Sequence, residues 1–146
     1  MKVVNRVKFE MLNNSLNEGF ARVAVAAFVA QTKVTIEELS DIKTAVSEAV
    51  TNAIVHGYGD SIGMVTLECI IREDTDTLHM VEIAVSDHGC GIEDIERARE
   101  PLYTSQPEME RSGMGFTVME TFMDEVIVES DMGLGTKVVM RKAIRR

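Results

Sequence analysis

Hydrophobic and polar positions change their period several times along this chain, and each change marks an element. Residues 3–10 form a strand-like opening. Residues 16–30 then take helical spacing, with Leu16, Phe20, Val23, Ala24, Ala27 and Ala30 on one stripe and Val25, Phe28 and Val29 off it. A helix apolar on two sides lies deep in a core or offers its second face to a partner. The next helix opens on a capping box, Thr35 with Glu38 three residues on, and carries the stripe Ile36, Leu39, Ile42, Ala45, Val46, Ala49 and Ala53. It should end near His56 and Gly57. Strands over 64–72 and 79–86, separated by the polar run 73–76, predict a hairpin. A glycine turn at 89–91, a short helical stretch at 93–99 and a further helix at 115–123 follow, and strands at 125–130 and 136–141 close the chain around Met132-Gly133-Leu134-Gly135. Between them, 100–112 has no usable periodicity and holds both prolines, Pro101 and Pro107. Such a long connection reads as a lid or binding loop. The order β-α-α-β-β-α-loop-α-β-β predicts an α+β fold, a two-layer sandwich with helices on one face of a mixed, mainly antiparallel sheet.

Composition narrows the class. With 146 residues, 45% of them apolar, and no internal repeat or Gly/Ser/Pro-rich linker, the chain is expected to form one domain over 1–146 with a substantial core. The 15 basic and 24 acidic side chains leave a net charge of −9, a poor match to a phosphate backbone, so direct nucleic-acid binding is not expected. The N-terminal stretch lacks the apolar core of a signal peptide, and no run approaches the roughly 20 apolar residues that cross a bilayer, so a cytoplasmic location away from membranes is expected. Cys69 and Cys90 have no metal-ligand spacing and no disulfide framework.

Chemistry concentrates at four places. Glu48 and Asn52 lie four apart on the second helix, about 40° from each other around its axis, beside the small Ala45 and Ala49. A carboxamide oxygen suits a hard cation such as Mg²⁺, and a carboxylate can take a proton from a hydroxyl; the pair fits an ordinary solvated helix face as well. In the strand 81–87, Asp87 shares the face of Val81, Ile83 and Val85, so it needs a donor. An adenine amino group would serve, as would the backbone of its own turn. His88-Gly89-Cys90-Gly91 lets that turn tighten and approach a ligand. Ser112-Gly113-Met114-Gly115-Phe116 joins the irregular loop to a helix, an arrangement suited to an anion, and Arg111 stands beside it. No P-loop lysine or dinucleotide fingerprint accompanies these glycines. Gly135-Thr136 opens the last strand.

Taken together, Glu48-x-x-x-Asn52, Asp87-x-Gly89-x-Gly91, Gly113-x-Gly115 and Gly135-Thr136 resemble the N, G1 and G2 boxes of the GHKL superfamily, whose ATP-binding (Bergerat) fold is shared by gyrase, Hsp90, histidine kinases and MutL. Within it, FARVAVAAFVAQ, IKTAVSEAVTNAIVHGY and ERSGMGFTVMETFMDEVIVES are similar to the anti-sigma F family, serine kinases of spore-forming bacteria. The resemblance implies ATP, ADP and Mg²⁺ as ligands. It implies Glu48 as the base aimed at a serine hydroxyl, Asn52 as the Mg²⁺ ligand, and Asp87, with Thr136 acting through water, as the adenine reader. Gly89, Gly91, Thr104, Ser105, Arg111, Ser112, Gly113, Met114 and Gly115 would complete the nucleotide site. The implied partners are a sporulation sigma factor (sigma F), an anti-anti-sigma protein as serine substrate, and a second copy in a homodimer, with Arg22 on the partner-facing first helix. Two other functions share these boxes. A detached histidine-kinase-type catalytic domain would need a phosphoacceptor on a helical hairpin, a place none of His56, His79 and His88 takes; a sequestering protein that only holds ATP would have no use for Glu48.

Overall fold

The computed structural model describes residues 1–75, 77–100 and 115–145. Its elements run β1 (Lys2–Leu12), α1 (Asn17–Val29), α2 (Ile36–Asn52), a π turn (Ala53–Gly57), β2 (Met64–Thr75), β3 (Leu78–Asp87), α3 (Ile95–Ala98), α4 (Gly115–Phe122), β4 (Glu125–Asp131) and β5 (Gly135–Arg145). The strands form one five-stranded sheet in the order β1-β2-β3-β5-β4, and every described pairing is antiparallel. The α+β expectation holds, with an antiparallel sheet in place of a mixed one. β2–β3 and β4–β5 are hairpins, β1 pairs with β2 across the intervening helices, and β5 returns beside β3, so no parallel crossover is required.

Period-two alternation decides which side of the sheet is covered. Leu67, Cys69, Val81, Ile83, Val85, Val138 and Met140 are buried on the helix side, where Ile42, Val46 and Val50 of α2 and Met119 of α4 meet them. The Cys69 thiol lies in this core, and burial, helped by Glu68, pushes its pKa up to about 12. It stays a neutral packing group.

The capping box is built as the spacing predicts. Thr35 Oγ1 accepts the Glu38 N–H at 3.1 Å and Glu38 Oε1 accepts the Thr35 N–H at 2.9 Å. Ile36, read as part of the buried stripe, sits in the first turn and is 89% exposed, while Val50 joins the core. The α-helix ends earlier than expected, at Asn52, and the predicted end at 56–57 falls in the π turn.

On α1 the buried face is not the stripe read from the sequence. Ala21, Val25, Phe28 and Val29 pack inward, while Leu16 is 82%, Phe20 59% and Val23 62% exposed. Both faces are apolar, so periodicity alone could not rank them. Packing against α2 selects the face built on β-branched Val25 and Val29. Phe20 is left with an edge-on contact to Phe9 of β1, ring centroids 5.8 Å apart.

Candidate functional site

The π turn brings the polar residues together. It widens the end of α2 directly after Asn52, as such turns commonly do at functional sites, and delivers Gly57 against the end of β3. A Cβ on Gly57 would lie 2.7 Å from Asp87 Cγ, and one on Gly89 would lie 1.8 Å from the Gly57 carbonyl oxygen. The Cys90 N–H donates to that same oxygen at 2.8 Å. The glycine turn after β3 is therefore pressed onto the π turn, and Gly89 is needed for this backbone contact, not only for approach to a ligand as the sequence reading had it. Gly91, at φ 80°, lies against the Asp131 carbonyl in the β4–β5 hairpin.

Asp87 ends β3 with its carboxylate buried, on the face of Val81, Ile83 and Val85. Burial pushes its pKa above the ordinary carboxylate value, opposed by backbone N–H groups of Gly89 and Thr136 and by His88. The Gly89 N–H donates to Asp87 Oδ1 at 2.9 Å. Asp87 thus caps its own turn, one of the two roles the sequence allowed it, and its desolvated carboxylate borders a cavity. That cavity, about 940 Å³, lies between the end of α2, β3, α3 and β5. Its walls include Asn52, Asp87, Gly91, Gly115 and Thr136, and its size falls within the usual range for small-ligand sites.

Glu48, Asn52 and Gly115 meet where α4 begins. A Cβ on Gly115 would stand 3.1 Å from Asn52 Nδ2, 3.3 Å from Asn52 Oδ1 and 3.4 Å from Glu48 Oε2. The carboxamide reaches the cavity wall, and Glu48, one turn earlier, reaches Gly115. A glycine at this position keeps the start of α4 close to both side chains. Among the described residues no group of three or more His, Cys, Asp or Glu side chains is placed to hold a metal ion. A Mg²⁺ ion held through one or two protein oxygens, waters and phosphate needs no such cluster.

Several contributors were not singled out from the sequence. Ser130 Oγ accepts the Ile92 N–H at 2.7 Å and lies 2.9 Å from Thr136 Oγ1, tying the turn after β3 to the last hairpin. Gly57 was read only as a helix end; a glycine closing the helical run was its one signal. Arg22 lies on α1, paired with Glu18 at 3.8 Å, and does not line the cavity. Thr104, Ser105, Arg111, Ser112, Gly113 and Met114 lie outside the described residues.

Residues 11–142 match the histidine kinase-like ATPase domain family. The chain is 60% identical over 139 residues to the anti-sigma F factor of Clostridium perfringens (strain SM101 / Type A), covering 94% of this chain and 96% of that one. The chain belongs to the anti-sigma F factor family of histidine kinase-like ATPase domains. The anti-sigma F factor of Clostridium novyi (strain NT) is 57% identical over 142 residues, covering 97% of this chain and 96% of the relative. That of Clostridium acetobutylicum is 55% identical over 138 residues, covering 94% and 93%. A crystal structure of the RsbU and RsbW domains of a Mycobacterium tuberculosis protein superposes with a TM-score of 0.60 at 15% identity, over 97% of this chain and 33% of that one. That last likeness concerns the fold alone, and the present chain spans about a third of that one. A domain of the anti-sigma F family is a nucleotide-binding unit, and no helix among the described residues is long and apolar enough to cross a membrane.

Proposed function

We propose that residues 1–146 act as one kinase domain that binds and inhibits a sporulation sigma factor (sigma F) and phosphorylates a serine on its anti-anti-sigma protein, with ATP as donor, ADP as product and Mg²⁺ as the required ion. The reading is supported above all by one juxtaposition: Glu48 and Asn52 meet Gly115 beside a cavity that also exposes the buried Asp87. When bound, Mg-ATP supplies the transferable phosphoryl group and the positive charge that neutralises its oxygens. Asp87 accepts a hydrogen bond from the purine amino group, and Thr136 supports it from the neighbouring strand. Gly91, Gly115 and the proposed nucleotide residues Gly89, Thr104, Ser105, Arg111, Ser112, Gly113 and Met114 shape the rest of the site. Asn52 offers its carboxamide oxygen to the ion, and Glu48 takes the proton from the serine hydroxyl.

Partner binding belongs on α1, which does not line the cavity. The exposed N-cap residue Leu16 and Phe20 and Val23 of α1 form an apolar face close to the edge strand β1, and Arg22 lies on the same helix beside Glu18. This face serves a second copy of the chain and the sigma factor, with Arg22 as a contact.

Purified protein incubated with labelled Mg-ATP and an anti-anti-sigma protein tests the enzyme reading. Glu48→Gln keeps nucleotide affinity and loses label transfer by two to four orders of magnitude; Asn52→Ala weakens Mg-ATP binding itself. Transfer by Glu48→Gln at the parent rate would remove the base assignment. Sigma-factor binding without any label transfer would leave a sequestering protein only.

A further inference from the structure

Tyr58 follows the π turn directly, and its side chain turns back across the start of β2. The hydroxyl donates to the Met64 carbonyl oxygen and accepts the His88 N–H at 2.7 Å. His88 is the residue after Asp87, so one phenol joins the first residue of β2 to the turn that carries the carboxylate. The ring is seated by Gly63, where a Cβ would stand 2.3 Å from Tyr58 Cε1. Gly63 is itself held by Asn13, whose N–H donates to the Gly63 carbonyl at 3.0 Å and whose Oδ1 accepts the Gly63 N–H at 3.1 Å.

We propose that Tyr58 is a positioning residue for the purine end of the site: its hydroxyl holds the His88 amide and thereby the direction in which Asp87 faces the cavity. The inference rests on the nucleotide reading above. The Asp87 carboxylate has its own N–H partners at Gly89 and Thr136, but the peptide leaving β3 toward Gly89 has its register set by the His88 N–H, and that amide is held by Tyr58. Tyr58 lies outside the cavity lining, so its effect reaches the ligand only through this turn. Purine recognition should suffer on its loss, while the Glu48 end should not.

Tyr58→Phe keeps the ring on Gly63 and deletes both hydrogen bonds. We expect the KM for ATP to rise about five- to tenfold with kcat unchanged, the size of effect expected when one or two neutral hydrogen bonds go. The preference for ATP over GTP should fall by a similar factor, because GTP has no amino group at the position Asp87 reads. Thermal unfolding without nucleotide is run beside both assays. An unchanged KM and ATP/GTP ratio would overturn the proposal, as would parallel losses of kcat, ATP binding and GTP binding with a lowered unfolding midpoint, which mark a purely structural tyrosine. If the parent protein itself binds no adenine nucleotide, the nucleotide reading falls first and this inference with it.

Discussion

At the scale of single residues, two buried carboxylates behave oppositely because their surroundings differ. Asp87 is desolvated with only backbone donors, so burial wins and its pKa rises. Its ionised form therefore costs the empty protein stability at neutral pH, and that cost is relieved as pH falls through the raised pKa. ATP affinity should move the other way, weakening over the same acidic range as the acceptor is protonated. Calorimetric titration at descending pH checks this, with Asp87→Asn as the reference that keeps only the nucleotide's own titration. That variant should bind ATP at least about tenfold more weakly at pH 7. Glu82 lies on the opposite face of β3, where burial raises its pKa but hydrogen bonds and charge from Arg141 and Arg72 prevail and hold it below the ordinary carboxylate value. Arg141 Nε donates to Glu82 Oε1 at 2.8 Å and Arg72 Nη1 at 3.2 Å. A depressed carboxylate stabilises the fold above its unfolded pKa, and this contribution is lost as pH falls through the folded value. Glu82→Gln should cost about 1 kcal/mol at pH 7, since both arginines are partly solvated, and should flatten the acid limb of a urea-unfolding series.

At the scale of elements, α2 organises both the core and the site. Its first turn is closed by the Thr35–Glu38 capping box, its middle packs Ile42, Val46 and Val50 against the sheet, and its end loosens into the π turn that frees Asn52 and Gly57 to face the cavity. Thr35→Ala removes one satisfied N–H and should cost about 1 kcal/mol, read as a shifted midpoint in thermal or urea unfolding. Because the cap lies at the end of the helix away from the cavity, nucleotide affinity of the folded variant should stay unchanged. The hairpin β4–β5 is the second organising element. Gly135, at φ 119°, lets its backbone pass where a Cβ would stand 2.0 Å from the Asp87 carbonyl oxygen, and Thr136 follows beside the carboxylate.

At the scale of the whole molecule, no residue of the exposed α1 face lines the cavity, so the proposed partner binding should be separable from the proposed nucleotide site. Phe20→Glu places a charge at the centre of that face while Val25 and Val29 keep α1 anchored. Sedimentation should show self-association weakened by tenfold or more, of the order seen when a charge is forced into an apolar contact, with ATP binding retained. Unchanged self-association would remove α1 from the proposed dimer contact.

Periodicity, capping and turn chemistry act within a dozen residues, so the sequence by itself determined the element order, the capped start of α2, both hairpins and the side of β3 on which Asp87 lies. The boxes around Glu48, Asn52, Asp87 and Gly115 were legible as a constellation for the same reason, since each is a local spacing. Only the tertiary structure decided which apolar face of α1 is buried, because both faces carry the same local signal and packing against α2 breaks the tie. It also decided that Gly57 and Gly89 serve each other, that Tyr58 holds the His88 amide, and that Arg141 reaches Glu82 from the neighbouring strand. These contacts join residues some 30 to 60 positions apart through sheet register and the π turn, and their geometry exists only once the strands have paired.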